Sequence, residues 1–464
     1  MGFRLASPVT TTLNPTFGTQ TATADGFTVP ITNYDSSYTW AGTATASGSV
    51  VVSGTGLVTV TGVAANTSST ATITTTKSNT VGGSALVTAT SLSAALTPAF
   101  GTPTATADGF TVPITNYDSS YSWAGTATAS GLVAINGTGL VTVTGVAPGT
   151  SSTATITTTK SNTVGGSATV TATSLGVAMS MVTVGNPGNA ADTNTGSLYG
   201  AVSYSYQIGK YDVTGSQYTA FLNAVGSTDT YALYNTSMGT DPNSYGVAQI
   251  SRSGTTGTYT YAVLNGTGSR PITYVSWWDG VRFANWMSNG QPSGAQTSTT
   301  TENGAYNVNG ATLGNAVAAN ATNPNTNSAP TYGIPLENEW YKAAYYSPNY
   351  GGTGVGGYYA YATQSDTDPG TTIGSSPNQA NYNSAIGHAT DVGSFTGSGS
   401  FYGTFDQTGN VWQWNDQDGT TGASRGLRGG FWLSGSSIVW SLVRYDYDPS
   451  TESYLVGFRL ASPV

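Results

Sequence analysis

The segment FDQTGNVWQW at residues 405–414 is followed in the chain by RGLRGGFW at 425–432 and by VGFRLA at 456–461. Three more blocks precede them, YQIGKYDVTGSQYTAFLNA from Tyr206, RPITYVSWWDGVRFANWMS from Arg270 and YGIPLENEWYKAAYY from Tyr332. From about residue 177 onward aromatic and charged residues are crowded together, and long loops rich in Gly, Asn and Thr separate the blocks. This composition indicates a mixed α+β domain with a high loop content.

Three stretches of this region have the periodicity of amphipathic helices. In TGSQYTAFLNAVG, Thr214 can cap a helix whose apolar side chains recur at helical spacing. SWWDGVRFANWMSNG has the same periodicity, and PLENEWYKAAYYS has Glu337, Glu339 and Lys342 near its start. We therefore predict three helices. The apolar positions of the first two are Tyr218, Phe221, Leu222, Trp278, Val281, Phe283 and Trp286.

Taken in order, the six blocks resemble the formylglycine-generating (sulfatase-modifying factor) domains across residues 195–464. The resemblance implies an elaborated C-type-lectin-like α+β fold, which we assign to residues 177–464. It also implies an oxidase in which two cysteines bind copper and the substrate thiol. The chain has no cysteine, and Ser434 lies near the first expected position. Because a serine hydroxyl is neither a soft metal ligand nor a redox group, we predict no copper and no formylglycine generation.

The same resemblance implies a calcium site in FDQTGNVWQW. Family members hold Ca²⁺ there with an acidic or amide side chain, backbone carbonyls and a terminal carboxylate. Hard oxygen ligands of this kind suit calcium, but a glutamine stands where the family usually has a glutamate, which should weaken the site. A dry structural turn is the alternative. The implied ligands are Asp406, Gly409, Val411 and Gln413. We assign Trp412 and Trp414 to the core.

Residues 428–459 keep the family's fixed points but fill the positions between them differently. The fixed points are Arg428, Gly429, Gly430, Trp432, Arg444, Pro449, Gly457, Phe458 and Arg459. The aromatic, small and acidic residues between them resemble the variable region of diversity-generating retroelement target proteins, which use this lectin-like fold. Tyr and Trp supply rigid contact area and Ser adapts, as in antibody-like surfaces. The predicted ligand-binding residues are Phe431, Leu433, Ser434, Ser436, Trp440, Leu442, Tyr445, Asp446, Tyr447, Ser453, Tyr454 and Leu455.

Other catalytic arrangements have weaker support. The pairs Asp416/Asp418 and Asp446/Asp448 could in principle serve a glycosidase, but aspartates of this kind more commonly cap turns. His388 in AIGHATD lies beside no nucleophile motif. We therefore predict a noncatalytic ligand-binding protein. An enzyme of the same family with altered chemistry and a structural surface or virion protein are the alternatives.

The first part of the chain is an internal repeat. ATADGFTVPITNYDSSY at residues 22–38 recurs without insertion at 105–121, so tandem copies occupy about 11–93 and 94–176. Short runs of Val, Thr and Ile broken by Gly, Asn and Ser predict antiparallel sandwiches that resemble bacterial immunoglobulin-like modules. In each copy one tryptophan, Trp40 or Trp123, is predicted to fill the core. We interpret the copies as spacers, with an independent binding module as the alternative.

Composition excludes several classes of partner. The net charge is −9 and the few cations are scattered, so nucleic acid is not expected to bind. The sequence contains no run of about 18 apolar residues, the length needed to span a membrane. MGFRLASPV at residues 1–9 repeats the final VGFRLASPV except for Met in place of Val, and we interpret residues 1–10 as a remnant of such a C-terminal segment. We expect an extracellular, cell-surface or virion location and a protein or glycan ligand on a cell or phage surface.

Overall fold

The computed structural model describes residues 12–106, 108–129, 131–146, 149–241 and 245–463. The interpreted remnant at residues 1–10 lies outside them. In the first repeat, Thr and Ser alternate with Val, Ile and Ala, so the strands Leu57–Thr61 and Ser68–Thr76 bury every second side chain. Its strands are β1 Thr21–Thr23, β2 Gly26–Pro30, β3 Thr39–Ala44, β4 Ser49–Val52, β5 Leu57–Thr61, β6 Ser68–Thr76 and β7 Gly83–Thr90.

The second repeat has the same strands in the same order. They are β8 Thr104–Thr106, β9 Gly109–Pro113, β10 Ser122–Ala127, β11 Leu132–Ile135, β12 Leu140–Thr144, β13 Ser151–Thr159 and β14 Gly166–Thr173. Each repeat has a four-stranded sheet, β1-β2-β5-β4 or β8-β9-β12-β11, and a three-stranded sheet, β3-β6-β7 or β10-β13-β14. Phe27, Val58 and Ile73 form part of the first core and are fully buried. The immunoglobulin-like assignment and the boundaries of the two copies stay predictions.

The repeat tryptophans pack against these cores from the edge and are only half-buried, so the prediction that they fill the core is confirmed only in part. Trp40 is only half-buried and stacks on Tyr34, with 5.3 Å between ring centroids. Its indole N–H donates to the backbone carbonyl of Asp35 at 2.9 Å. A buried indole needs such an acceptor, and the apolar centre has none to offer. Trp123 makes the corresponding contacts in the second repeat.

The junctions between the folded units are short. Leu92 donates its backbone N–H to a carbonyl of the first repeat at 2.8 Å, and the next residue, Ser93, donates to a carbonyl of the second repeat at 2.9 Å. At the following junction Leu175 is hydrogen-bonded to the second repeat at 2.8 Å. Two residues later, Val177 exchanges two hydrogen bonds with the side chain of Gln291, at 2.7 and 2.8 Å.

The C-terminal part contains helices and further strands. All three predicted helices are confirmed, and the single turn α2 was not predicted. Among the described residues, no helix is long and apolar enough to cross a bilayer. The helices are α1 Gly215–Val225, α2 Ser237–Thr240, α3 Trp277–Ser288 and α4 Glu337–Tyr345. The strands are β15 Met181–Val184, β16 Tyr206–Gly209, β17 Ile250–Ser253, β18 Thr260–Val263, β19 Tyr346–Ser347, β20 Gly357–Tyr358, β21 Trp412–Asn415, β22 Arg425–Arg428, β23 Tyr445–Tyr447, β24 Val456–Phe458 and β25 Ala461–Pro463.

Local capping explains where the longer helices begin. Thr214 and Gln217 form a reciprocal capping box at the start of α1, and Ser276 and Asp279 form one at the start of α3. Every residue of α3 is buried, because it lies in the middle of the largest apolar core. The central sheet beside this core has the strand order β23-β22-β21-β24, with β24 parallel to β21. Trp414 is fully buried in this core, as predicted.

We predict that buried Asp279 makes the stability of this domain depend on pH. Burial, followed by the nearby Glu452 carboxylate, raises the pKa of Asp279. The folded domain therefore holds this proton at pH values where the unfolded chain has released it, so the free energy of unfolding falls as pH rises from about 4 toward neutrality. Asp279→Asn retains a side-chain oxygen for the capping box but cannot titrate, so its stability should fall less over this range.

The measurement is denaturant unfolding at several pH values, followed by tryptophan fluorescence. Eight of the ten tryptophans lie beyond residue 177, so this signal reports mainly on the C-terminal domain. The control is Asp418→Asn at an exposed position. It should leave the dependence of the free energy of unfolding on pH unchanged between pH 5 and pH 7, a range roughly one to three units above an ordinary Asp pKa. Parallel curves for wild type and Asp279→Asn would contradict the assignment.

Candidate functional site

Four large apolar side chains that are exposed to solvent lie close together in the sequence near the end of the chain. They are Trp440, Leu442, Tyr445 and Tyr447, with exposed fractions of 38–44%. We call these four residues the aromatic surface. Trp440 and Leu442 line one cleft together with Tyr359. Tyr445 and Tyr447 alternate along β23, so their side chains lie on the same face of the sheet.

Buried charged residues fix the backbone beneath the aromatic surface. Arg428 at the end of β22 donates from Nη1 to the carbonyls of Ser441 and Val443, at 2.9 and 3.1 Å. Its Nε also bonds to Glu337 in the first turn of α4, at 2.7 Å. Arg444 binds both oxygens of the same carboxylate through its Nε, each at 2.8 Å. The backbone on both sides of Leu442 is therefore tied to α4 and β22 by groups that do not depend on the exposed side chains.

Strand β23 lies at the edge of its sheet, and all three of its residues are exposed. Tyr445 packs edge-to-face against Trp412, with 5.2 Å between ring centroids. Asp446 accepts from Arg444 at 2.6 Å and from Gln417 at 2.9 Å, so its charge is balanced within the domain. Ligand binding by Asp446 stays a prediction, and in the structure its carboxylate is bonded to Arg444 and Gln417.

Several other predicted residues point toward the interior. Ser434 is buried, and its hydroxyl accepts the backbone N–H of Phe431 at 3.1 Å. Because a buried hydroxyl cannot reach a ligand without rearrangement, we remove Ser434 from the contact surface. Tyr454 stacks on Tyr245 with 4.0 Å between ring centroids, next to half-buried Phe431. This pairing could not be predicted from the sequence, because Tyr245 lies in a distant loop.

The remaining predicted ligand-binding positions belong neither to the aromatic surface nor to the buried interior. Leu433 is 38% exposed, and Ser436 is half-buried. Ser453 and Leu455 are half-buried, and their backbone carbonyls accept hydrogen bonds from the N–H groups of Tyr274 and Trp412. We keep these four positions as predicted contacts at the margin of the aromatic surface.

The aspartates of the pairs Asp416/Asp418 and Asp446/Asp448 have different structural roles. Asp416 is fully buried and forms an ion pair with Arg425 at 2.7 Å, so its interpretation as a turn cap is wrong. Asp418 does cap a turn, since it accepts from the backbone N–H and the hydroxyl of Thr420. Asp448 caps a turn in the same way. His388 is half-buried, and its Nδ1 lies 2.9 Å from the carbonyl of Ala389.

In the implied calcium site, the side chain of Gln413 is already engaged in three hydrogen bonds. Gln413 Oε1 accepts from Trp340 Nε1 and from Arg459 Nε, both at 2.7 Å, and Gln413 Nε2 donates to the carbonyl of Asp406 at 2.9 Å. An oxygen that already accepts two N–H donors, one of them cationic, is a poor ligand for Ca²⁺. In the described part of the chain, no three His, Cys, Asp or Glu residues are placed to hold a metal. The donor set does not fit calcium, which stays a prediction from sequence alone.

Comparison with known proteins gives the following matches. Residues 167–464 match the family described as sulfatase-modifying factor enzyme 1-like domain, and the match begins within β14. Among solved structures, Treponema denticola variable protein 1 is 20% identical with a TM-score of 0.38, over 62% of this chain and 96% of that one. CarF is 18% identical with a TM-score of 0.35, over 62% and 99%. PvdO from Pseudomonas aeruginosa is 17% identical with a TM-score of 0.31, over 62% and 92%. No curated protein sequence matches the chain significantly.

Proposed function

The chain belongs to the sulfatase-modifying factor enzyme 1-like domain family through residues 167–464, and we propose that this domain binds a ligand without catalysing a reaction. The observation that carries the proposal is a fixed backbone bearing exposed apolar side chains at Trp440, Leu442, Tyr445 and Tyr447. Exposed aromatic anchors on a rigid support are typical of recognition surfaces. Formylglycine generation would require thiols, and the chain contains no cysteine.

We further propose that this is a variable surface of the diversity-generating retroelement type. In support, the fixed points Arg428, Trp432, Phe458 and Arg459 are buried and make the structural contacts, whereas the intervening Trp440 and the other residues of the aromatic surface are exposed. Side chains that do not hold the backbone can be exchanged at little cost in stability. The two repeats then act as spacers that present the domain on a cell or virion surface, toward a protein or glycan ligand.

Replacing the whole aromatic surface tests the proposal. The variant Trp440→Ser, Leu442→Ser, Tyr445→Ser and Tyr447→Ser should lose at least about tenfold in affinity for its ligands, since truncating a few central anchors removes most of the binding energy. The control is Leu313→Ser with Phe401→Ser, which removes exposed apolar side chains elsewhere, with exposed fractions of 73% and 39%.

The full chain is the bait, and the probes are a random peptide display library and a glycan array. Binders recovered with the wild type should be lost by the surface variant and kept by the control. Unfolding midpoints of all three proteins should agree, because the altered side chains are exposed. The proposal would be overturned by binders that bind the surface variant as well as the wild type. It would also be overturned if neither collection yields a binder.

A further inference from the structure

A second cavity lies on a different part of the domain. It has a volume of about 550 Å³, within the range of small-molecule pockets. None of the residues that line it belongs to the aromatic surface. Its walls come from the segment before β16, the loops around residues 305–336, the start of α4 and β25. The cavity is therefore built from segments that are far apart in sequence.

Four tyrosines are among the residues that line this cavity, and Tyr204 is the most exposed of them. They are Tyr204, Tyr206, Tyr306 and Tyr332. Tyr204 and Tyr206 meet edge-to-face with 6.1 Å between ring centroids. Proline and aliphatic side chains complete the wall at Pro330, Ile334, Leu336 and Pro463. Such a lining binds aromatic or alkyl groups, and the faces of the rings attract cations.

Two acidic side chains lie in the same wall. Glu339 is 9% exposed, and its carboxylate accepts from the Tyr204 hydroxyl and the Leu336 N–H, both at 2.8 Å. In the part of the chain that the structure describes, no Lys or Arg forms an ion pair with Glu339, whereas Asp416 has Arg425 as its partner. Burial raises the pKa of Glu339. A cation entering the cavity would supply the missing countercharge.

From the combination of aromatic walls and an unpaired buried carboxylate, we propose that this cavity binds a small organic cation with an alkylated ammonium group. A metal ion fits poorly, because Asp416 is already paired with Arg425 and most of the remaining wall consists of rings and aliphatic carbons, which leaves too few oxygen ligands. A neutral apolar molecule would leave Glu339 without a countercharge. This inference is independent of the aromatic surface, so either could fail while the other holds.

The capping role of Glu339 allows a clean test of its charge. Glu339 is the N3 residue of α4, and its carboxylate accepts the backbone N–H of Leu336. Glutamine performs this task at the N3 position of α1, where Gln217 accepts from Thr214 at 2.9 Å. Glu339→Gln should therefore keep the helix start while removing the charge. Tyr332→Ala is the second variant, since it removes one ring of the wall and leaves the hydrogen bond between the Leu336 N–H and Glu339 intact.

The experiment is calorimetric titration of the full chain with choline and with 3,3-dimethylbutan-1-ol, its neutral isostere. Choline should bind the wild type, and the isostere should bind at least about tenfold more weakly because it lacks the charge that Glu339 recognises. Glu339→Gln and Tyr332→Ala should each lower the affinity for choline at least about tenfold, with unchanged circular dichroism. The aromatic-surface variant should bind choline like the wild type.

Three results would overturn the inference. The first is the absence of choline binding to the wild type at millimolar concentration. The second is equal affinity for choline and the neutral isostere, which would indicate an apolar cavity with no preference for charge. The third is unchanged choline affinity in both Glu339→Gln and Tyr332→Ala, which would place the binding elsewhere.

Discussion

Replacing Glu337 with alanine is expected to lower the free energy of unfolding of the C-terminal domain by about 3–5 kcal/mol, as for other buried ion pairs that lose one partner. Glu337 is buried and is the shared partner of Arg428 and Arg444. Its removal leaves the fully buried guanidinium of Arg428 without a countercharge. Arg444 loses less, because it is partly exposed and keeps Asp446.

Denaturant unfolding monitored by tryptophan fluorescence measures this effect, and hydrogen exchange shows where it acts. The amides of Ser441 and Val443 should exchange faster in Glu337→Ala, since the carbonyls of these residues are held by Arg428. The double variant Glu337→Leu with Arg428→Met should recover much of the lost stability, because neither member of this pair then remains as an uncompensated buried charge. A loss below about 1 kcal/mol, the value of an exposed pair, would contradict this account.

Replacing Arg459 with methionine is expected to cost about 3–5 kcal/mol for the same physical reason at a different site. Arg459 and Asp212 are both fully buried, 3.3 Å apart. The guanidinium also donates to Gln413 Oε1 at 2.7 Å and to the carbonyl of Phe405 at 2.8 Å. Methionine fills the volume of the side chain but leaves these acceptors and the Asp212 carboxylate without donors.

The matched control for Arg459→Met is the double variant with Asp212→Asn, which removes the isolated charge. It should be more stable than Arg459→Met alone in the same unfolding measurement. Asp229 and Arg252 offer a second comparison, because Arg252 is 25% exposed and Arg252→Met should cost less. Equal losses for Arg252→Met and Arg459→Met would show that burial does not set the energy of these pairs.

Features that depend on neighbours in sequence were predictable. The starts of α1 and α3 could be predicted because a capping residue and its N3 partner lie three positions apart. Alternation of Thr with Val or Ile predicted the strands of the repeats. The edge position of Trp40 was missed, because it depends on a carbonyl acceptor whose placement only the folded chain reveals.

The candidate functional site was predictable only in part, because some of its contacts join residues that are far apart in the sequence. The exposure of Trp440 and the other residues of the aromatic surface could be predicted, because the positions between the family's fixed points are filled differently in this chain. The stacking of Tyr454 on Tyr245 joins residues about 200 positions apart, and the backbone carbonyl of Ser434 accepts from the distant Asn383, so no local pattern indicates these interior roles. Glu337 looked like an ordinary helix-start carboxylate, although it joins α4 to arginines about 100 residues later.

The short junctions between the folded units have a mechanical consequence. Leu92 and Ser93 are adjacent in sequence yet hydrogen-bonded to different repeats, and only Gly176 separates the anchored residues Leu175 and Val177. Because at most one residue separates the anchored positions, bending at either junction is confined to a few backbone dihedral angles. A tensile load applied to the C-terminal domain would therefore be transmitted along the repeats with little extension, until the bonds at the junctions yield.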